Sequence, residues 1–337
     1  MEHAPIFVRL DEIRRKGWES EEGNRFFDRQ KRQADEGSEE TQRYLNKMMQ
    51  AIADEMQRMT GAFTICDRAY SAVDNDRQRR ILDCCMAPGT YLQAALEHNP
   101  GAGALAFTLP PPLGGHKLLL EEDETRGLVI KLLDVTMLAA DMGVTPDEIP
   151  PDHPDAAAFL PQQVEPGRHF DLVLCDGQVL RTHEPHRAAY RERREARRLT
   201  LTQLILGLEH LRPGGTMIVL LHKVEAWDTA CLVRTFHAFS TVRLFKPRRG
   251  HAKRSSFYMI ATNIRAEDQA AVAAVEEWKA TWKVATFASE DEYAASRQEC
   301  VGVDELLDQF GPELISLGHH VWRVQAEALE KAPFNRR

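Results

Sequence analysis

At 337 residues, 43% of them apolar and 28% charged, the chain is long enough to bury a sizeable core and has the composition of a soluble globular protein. No run of about 18 apolar residues is present, so no helical membrane span and no membrane partner are expected. A net charge of −8 argues against coating nucleic acid by bulk charge, while leaving local basic patches free to bind phosphate.

The amino terminus, "MEHAPIFVRLDEIRRKG", is charged from the start and lacks an apolar stretch followed by a small-residue cleavage site. An intracellular location is the expectation, with nucleus and cytoplasm not distinguished. Residues 1–61 read as a helical extension. Its clearest element is "SEETQRYLNKMMQAIADEMQRM", where Tyr44, Met48, Met49, Ile52 and Met56 share one face at helical spacing. Ser38 and Thr41 offer a cap and Gly61 a stop, and the plainest role is a docking helix.

Residues 62–264 alternate apolar runs with helix-length segments. The runs are "RILDCC", "GALAFTL", "LVIKLLD", "FDLVLCD", "GTMIVLL", "TVRLFK" and "SFYMIAT". Seven such runs predict an α/β domain with a mainly parallel sheet covered on both faces. Helices are expected at 89–98, 187–211 and 226–239. The last two runs are joined too closely for a crossover helix, so an antiparallel pair belongs at one sheet edge. The proline- and acid-rich stretch at 143–167 reads as a surface excursion, and residues 265–337 as a second helical extension.

Six cysteines, Cys66, Cys84, Cys85, Cys175, Cys231 and Cys300, are scattered along a chain too long to need disulfides, so free thiols are expected. Cys84 and Cys85 are adjacent within a strand and point to opposite faces, so they read as small buried hydrophobes. No ligand spacing around them suggests a metal, and no structural metal is expected.

In an open parallel sheet, ligands bind beyond the carboxyl ends of the strands. Just there stand Asp83 with the turn Met86-Ala87-Pro88-Gly89, then Asp134, Asp176-Gly177 and His222-Lys223. Singly each has a plain reading: Asp134 as a helix cap, Lys223 as a solvated loop residue, the glycine as an ordinary turn. Three acids and a lysine in this order, each at its own strand end, form a constellation.

The segments "ILDCCMAPGTYLQ", "FDLVLCDG", "LRPGGTMIVLLHKVEA" and "FKPRRGHAKRSSFYMIATN" resemble the FtsJ-like S-adenosylmethionine-dependent ribose 2′-O-methyltransferases, as a divergent eukaryotic member. The resemblance implies a Rossmann-like class I methyltransferase fold, S-adenosylmethionine as cofactor and RNA as partner. It places Asp83, Ala87, Pro88, Gly89 and Tyr91 in the family's first motif, with Gly89 and Tyr91 against the methionine and ribose. Asp134 would hold the adenine, Asp176 would lie near the sulfonium, and Lys223 would serve as base or orienting group for a sugar hydroxyl.

Four positions depart from the family pattern. Thr90 stands for the second glycine, and Thr108 for the acid that meets the cofactor ribose. Ser256 stands for the final glutamate of the K-D-K-E set. Its first lysine has no counterpart; Arg68 is the nearest cation, and it can orient but not accept a proton.

Two basic stretches bear on the substrate. Residues 187–198 carry six arginines on a helix that also holds Glu192 and Glu195, either a solvated face or a binding patch with Tyr190 as a stacking surface. Arg248, Arg249, Lys253 and Arg254 lie on a loop between two strands, with Gly250 and His251, as a phosphate-gripping loop would. Three readings stay open: a methyltransferase of RNA ribose, one of a small molecule or protein, and a non-catalytic descendant that binds cofactor or RNA. The oligomeric state is left unspecified.

Overall fold

The structure, a computed structural model, describes residues 4–35, 39–66, 78–123, 125, 127–297 and 302–335. All seven apolar runs form strands of one sheet: β1 Arg80–Asp83, β2 Gly103–Thr108, β3 Leu128–Leu132, β4 Phe170–Cys175, β5 Leu211–His222, β6 Thr241–Phe245 and β7 Ser256–Thr262. Their order is β3-β2-β1-β4-β5-β7-β6, parallel except for β7, which runs antiparallel to β5 and β6. This is a Rossmann-like class I methyltransferase architecture. The strand order reverses between β1 and β4, which opens the ligand crevice of such sheets at their carboxyl ends.

The central strands read as unbroken apolar runs because both faces are covered. In β4, Leu172 and Leu174 enter one core while Val173 and Cys175 enter the other; in β5, Ile218 separates from Met217 and Val219 in the same way. One face is covered by α3 Glu39–Thr60 and α4 Thr90–His98. The other is covered by α5 Glu195–Glu209, α6 Trp227–Phe239 and α7 Gln269–Phe287.

The terminal helices meet each other. Helix α1 Pro5–Glu19 packs on α9 Val303–Glu330, with the Phe7 and Trp322 rings 5.2 Å apart and Arg14 bonded to Gln325 at 2.7 Å and Glu225 at 2.5 Å. Helix α2 Glu21–Asp35 stacks Phe26 and Phe27 on Phe334. Helix α9 runs unbroken through Pro312. Between α7 and α9 lies the short α8 Glu290–Ser296, opened by a Ser289 capping box.

Helix α3 ends where the sequence suggests. Gly61 adopts a left-handed φ of 68° and donates to Gln57 O, closing the last turn. Ser38 and Cys300 lie outside the described residues. Of the apolar face read from the sequence, Ile52 and Met56 are buried, Met48 and Met49 half-buried, and Tyr44 is exposed. The expected helix at 187–211 begins only at Glu195; its first part folds as short 3-10 turns. The 143–167 excursion is pinned rather than free, with His153 Nε2 3.0 Å from Thr286 O and Val164 fully buried.

Candidate active site

A single cavity of about 710 Å3 opens along the carboxyl ends of the strands. After β1 the chain turns sharply through Ala87-Pro88-Gly89. Gly89 has φ 111°, and a Cβ there would lie 3.0 Å from Met86 Sδ, so backbone conformation and space both demand glycine. Ala87 and Pro88 line the cavity, as does Thr108 at the end of β2.

Because β1 and β4 are neighbours, Asp83 and Asp176 come close at the centre of the crevice. Burial, with Asp176 as a second cause, raises the Asp83 carboxyl well above the usual carboxylate range, against one hydrogen bond from Cys85 N–H at 3.1 Å. Burial likewise pushes Asp176 up to about 7. Asp83 lies beneath the surface, and Asp176 lines the cavity. Gly177 follows because a Cβ there would collide with Cys85 Sγ at 2.3 Å. Cys84 and Cys85 line this floor with thiols raised above their ordinary value, Cys84 first by a hydrogen bond with Cys175 and then by burial, Cys85 first by burial; all five described cysteines are free. Such thiols are poor nucleophiles.

Asp134 sits at the end of β3 and caps the turn that follows. Its Oδ1 accepts from Thr136 N–H at 2.9 Å and Thr136 Oγ1 at 2.7 Å, and its Oδ2 from Arg191 at 2.7 Å. Burial would raise this carboxyl, but Arg191 and Thr136 overcome it and hold it below the usual value. The residue lines the cavity, yet its oxygens are already engaged within the protein. Any adenine contact must share them.

The 187–198 stretch is neither wholly a solvated face nor a free binding patch: Arg193 is exposed, Arg187 and Arg191 line the cavity, and three arginines are spent inside. Arg191, Arg194 and Arg198 are buried: Arg191 pairs with Asp134 and Glu195, Arg194 reaches Glu290 at 2.7 Å, and Arg198 donates to Thr136 O at 2.8 Å. Tyr190 gives its hydroxyl to Asp155 at 2.8 Å and packs between the Arg194 and Arg198 guanidinium groups, so it is no free stacking surface.

Three further site expectations change. Thr90 and Tyr91 open α4 but do not line the cavity; the Tyr91 hydroxyl meets that of Tyr258 at 2.5 Å, and Tyr258 takes the cavity-facing place. Thr90 Oγ1 is buried without a hydrogen-bond partner among the described residues. Lys223 does not reach the cavity. Strand β5 continues to His222, so Leu220 and His222 face the cavity, and Lys223, at φ 49°, turns its amine over the exposed Trp18 ring 5.8 Å from the centroid. Arg68 lies outside the described residues.

His222, named in the sequence only beside Lys223 and given no role there, is the one of the two that lines the cavity. It faces Ser256 across the β5–β7 pair, and Ser256 also lines the cavity. The signal was available: period-two alternation from Leu220 selects position 222, not 223.

The basic loop is anchored from beneath. Lys246 is fully buried and donates to the carbonyls of His251, Arg254 and Ser256 at 2.9, 2.5 and 2.5 Å. Burial, then Arg14 and Arg254, bring its pKa down to about 7. The Glu55 carboxylate on α3 accepts from Arg248 N–H, and Gln325 on α9 donates to Lys253 O. Lys253 spends its ammonium on the Phe26 ring, 5.0 Å from the centroid. Arg248, Arg249 and Arg254 are exposed, and of the four expected substrate cations only Arg254 lines the cavity. Helix α3 supplies the facing wall with Gln42, Leu45, Met48 and Met49. Among the described residues no cluster of His, Cys, Asp or Glu is placed to hold a metal ion, and no helix is long and apolar enough to cross a membrane.

Comparison with known proteins gives a family match and fold-level likenesses. Residues 64–264 match the FtsJ-like methyltransferases. No curated protein matches the chain. Among solved structures, one described as a ribosomal RNA methyltransferase from Plasmodium falciparum is 16% identical, covering 57% of this chain and 93% of that one at a TM-score of 0.33. Human methyltransferase-like protein 13, solved with SAH, is 10% identical, covering 75% and 97% at a TM-score of 0.35. The N-methyltransferase NodS from Bradyrhizobium japonicum is 11% identical, covering 62% and 96% at 0.34.

Proposed function

The chain belongs to the FtsJ-like methyltransferase family, which makes it an S-adenosylmethionine-dependent methyltransferase, and on that premise we propose that it methylates a ribose 2′-hydroxyl of RNA. When bound, the cofactor supplies an electrophilic methyl group on a positively charged sulfur. The cavity's volume falls in the range of about 300–1,000 Å3 usual for ligand sites, and its central carboxylates suit a cation. Ala87 and Pro88 would follow the methionine, Thr108 would meet the ribose where the family has an acid, and Asp176 would face the sulfonium.

The observation that carries the RNA reading is the continuity of this cavity with a positive rim. Arg254 lines it, and Arg248 and Arg249 stand exposed on the same loop, their backbone held by Lys246 and Glu55. Cations held at a cavity mouth suit a phosphate backbone whose sugar enters the cavity. Transfer from labelled cofactor into total RNA, a metabolite extract and protein tests the reading. Label in RNA is expected, and its absence from RNA would overturn the assignment.

A second reading, transfer to a small-molecule hydroxyl, is favoured by one observation: Leu45, Met48 and Met49 of α3 give the cavity an apolar lining suited to a small apolar substrate. Label in the metabolite fraction alone would select it.

A further inference from the structure

Methyl transfer to a hydroxyl requires a group that takes the proton, and the family resemblance offered Lys223 as base or orienting group. With Lys223 turned onto Trp18, the acceptor end of the cavity offers another candidate. His222 closes β5 at the cavity mouth, where it is both lining and solvent-exposed. Its Nε2 lies 2.8 Å from Gln178 Oε1, an acceptor just beyond Asp176. Its Nδ1 lies 3.4 Å from Ser255 Oγ, a long contact that a substrate hydroxyl can displace.

Gln178 Oε1 can only accept, so it fixes the proton on Nε2 and leaves the lone pair on Nδ1. We propose that His222 is the proton acceptor of the methyl-transfer reaction, with Nδ1 as the receiving atom and Gln178 as the positioning residue that sets its tautomer. The proposal rests on the acceptor being a hydroxyl, as in the function proposed above.

The step balances. The acceptor oxygen bonds to the methyl carbon as the carbon–sulfur bond breaks, and that bond's electron pair stays on sulfur, leaving a neutral thioether. The hydroxyl proton passes to Nδ1, so the positive charge moves from sulfur to the imidazole. The surroundings keep His222 ready to accept: burial first, then Lys246, Arg254 and Lys223, lower its pKa from the ordinary histidine value. His251 is driven down to about 4 by burial, then by Arg254 and Lys246, and so adds no charge near neutrality. Asp176 lies in the same cavity, and the imidazolium, disfavoured by the neighbouring cations, returns its proton to water.

The test uses the full chain, with His222→Ala, His222→Gln, Gln178→Ala and Lys223→Ala, single-turnover transfer into RNA from pH 5 to 9, and NMR titration of the His222 ring. Cofactor affinity should stay within about twofold in the His222 variants, which shows that they fold. The rate should fall about 100-fold or more in both and partially in Gln178→Ala, while Lys223→Ala, which removes the last-ranked of the cations around His222, should raise the His222 midpoint slightly and keep most of the rate. The wild-type rate should rise with pH along the NMR titration of His222, with a midpoint below about 6.5. A His222 variant at near wild-type rate, a rate limb that does not follow the His222 titration, or loss of activity in Lys223→Ala would overturn the proposal. Absence of transfer by the wild type would overturn the functional reading itself, a distinct outcome.

Discussion

Two arginine-rich stretches of similar composition meet opposite fates. Residues 187–198 turn inward: Arg191, Arg194 and Arg198 are buried and engaged, and Arg191 clamps the Asp134 end of the cavity. Residues 246–254 turn outward, with one buried lysine tying the loop down and Arg248, Arg249 and Arg254 left in solvent. Charge density alone does not distinguish a scaffold from a binding surface. The difference lies in whether carboxylates are waiting nearby. Asp134, Asp155, Glu195 and Glu290 surround the first stretch, while the side chain facing the second, Glu55, spends its oxygens on backbone N–H.

The largest expected effect breaks the inward cluster. Arg191→Ala strands Asp134 without its cation, leaves Glu195 with Arg198 alone, and should cost about 3–5 kcal/mol, read from denaturant unfolding. A loss below about 1 kcal/mol would place Arg191 with the surface arginines. Next comes Glu55→Ala, which leaves Arg248 N–H unpaired and should cost about 1 kcal/mol while loosening the outward loop. The smallest effect on stability belongs to Arg248→Ala with Arg249→Ala, within about 0.5 kcal/mol. The same double variant should flatten the salt dependence of RNA binding by about 1.4 in log–log slope, if each arginine neutralises one phosphate of a single strand. An unchanged slope would move the RNA contact elsewhere.

The two cavity carboxylates sharpen the comparison through pH. Arg191 keeps Asp134 ionised, whereas among the described residues no cation is paired with Asp176, whose pKa is raised by burial to about 7. Its folded value exceeds the unfolded one of about 3.9, so its contribution to stability is present at low pH and lost as pH rises through about 7. The thermal midpoint of the cofactor-free protein should fall across that window, and Asp176→Asn should remove this component of the slope. Bound cofactor should oppose the fall, since a positive sulfur favours the ionised carboxylate.

The seven strands were legible because each is a short, mostly apolar run bounded by breakers, unbroken in the central strands and alternating in the edge strand β6, and those are local properties. So was the order of features beyond the strand ends: the glycine turn at Gly89 and the acids that close or follow β1, β3 and β4. The family resemblance over the central domain rested on the same local order. Lys223 was misplaced because the apolar run ends at Leu221 while the strand itself continues through His222 by pairing with Ser256 on β7. Hydrogen bonds from another strand, not residue type, set that end.

Side-chain direction in the arginine stretches was decided by partners far away in sequence: Asp134 is 57 residues from Arg191, and Glu290 is 96 from Arg194. Glu195 was the one local partner, and its pairing with Arg191 and Arg198 was the part the sequence could suggest. By itself, then, the chain determined which segments enter the sheet and which acids stand at its carboxyl ends, since hydrophobic period and turn chemistry are read within a few residues. Only the tertiary structure decided which cations are spent inside, that α3 and α9 hold the basic loop, and that His222 rather than Lys223 lines the cavity. Those outcomes depend on desolvation and charge pairing between segments that meet only once the sheet has formed.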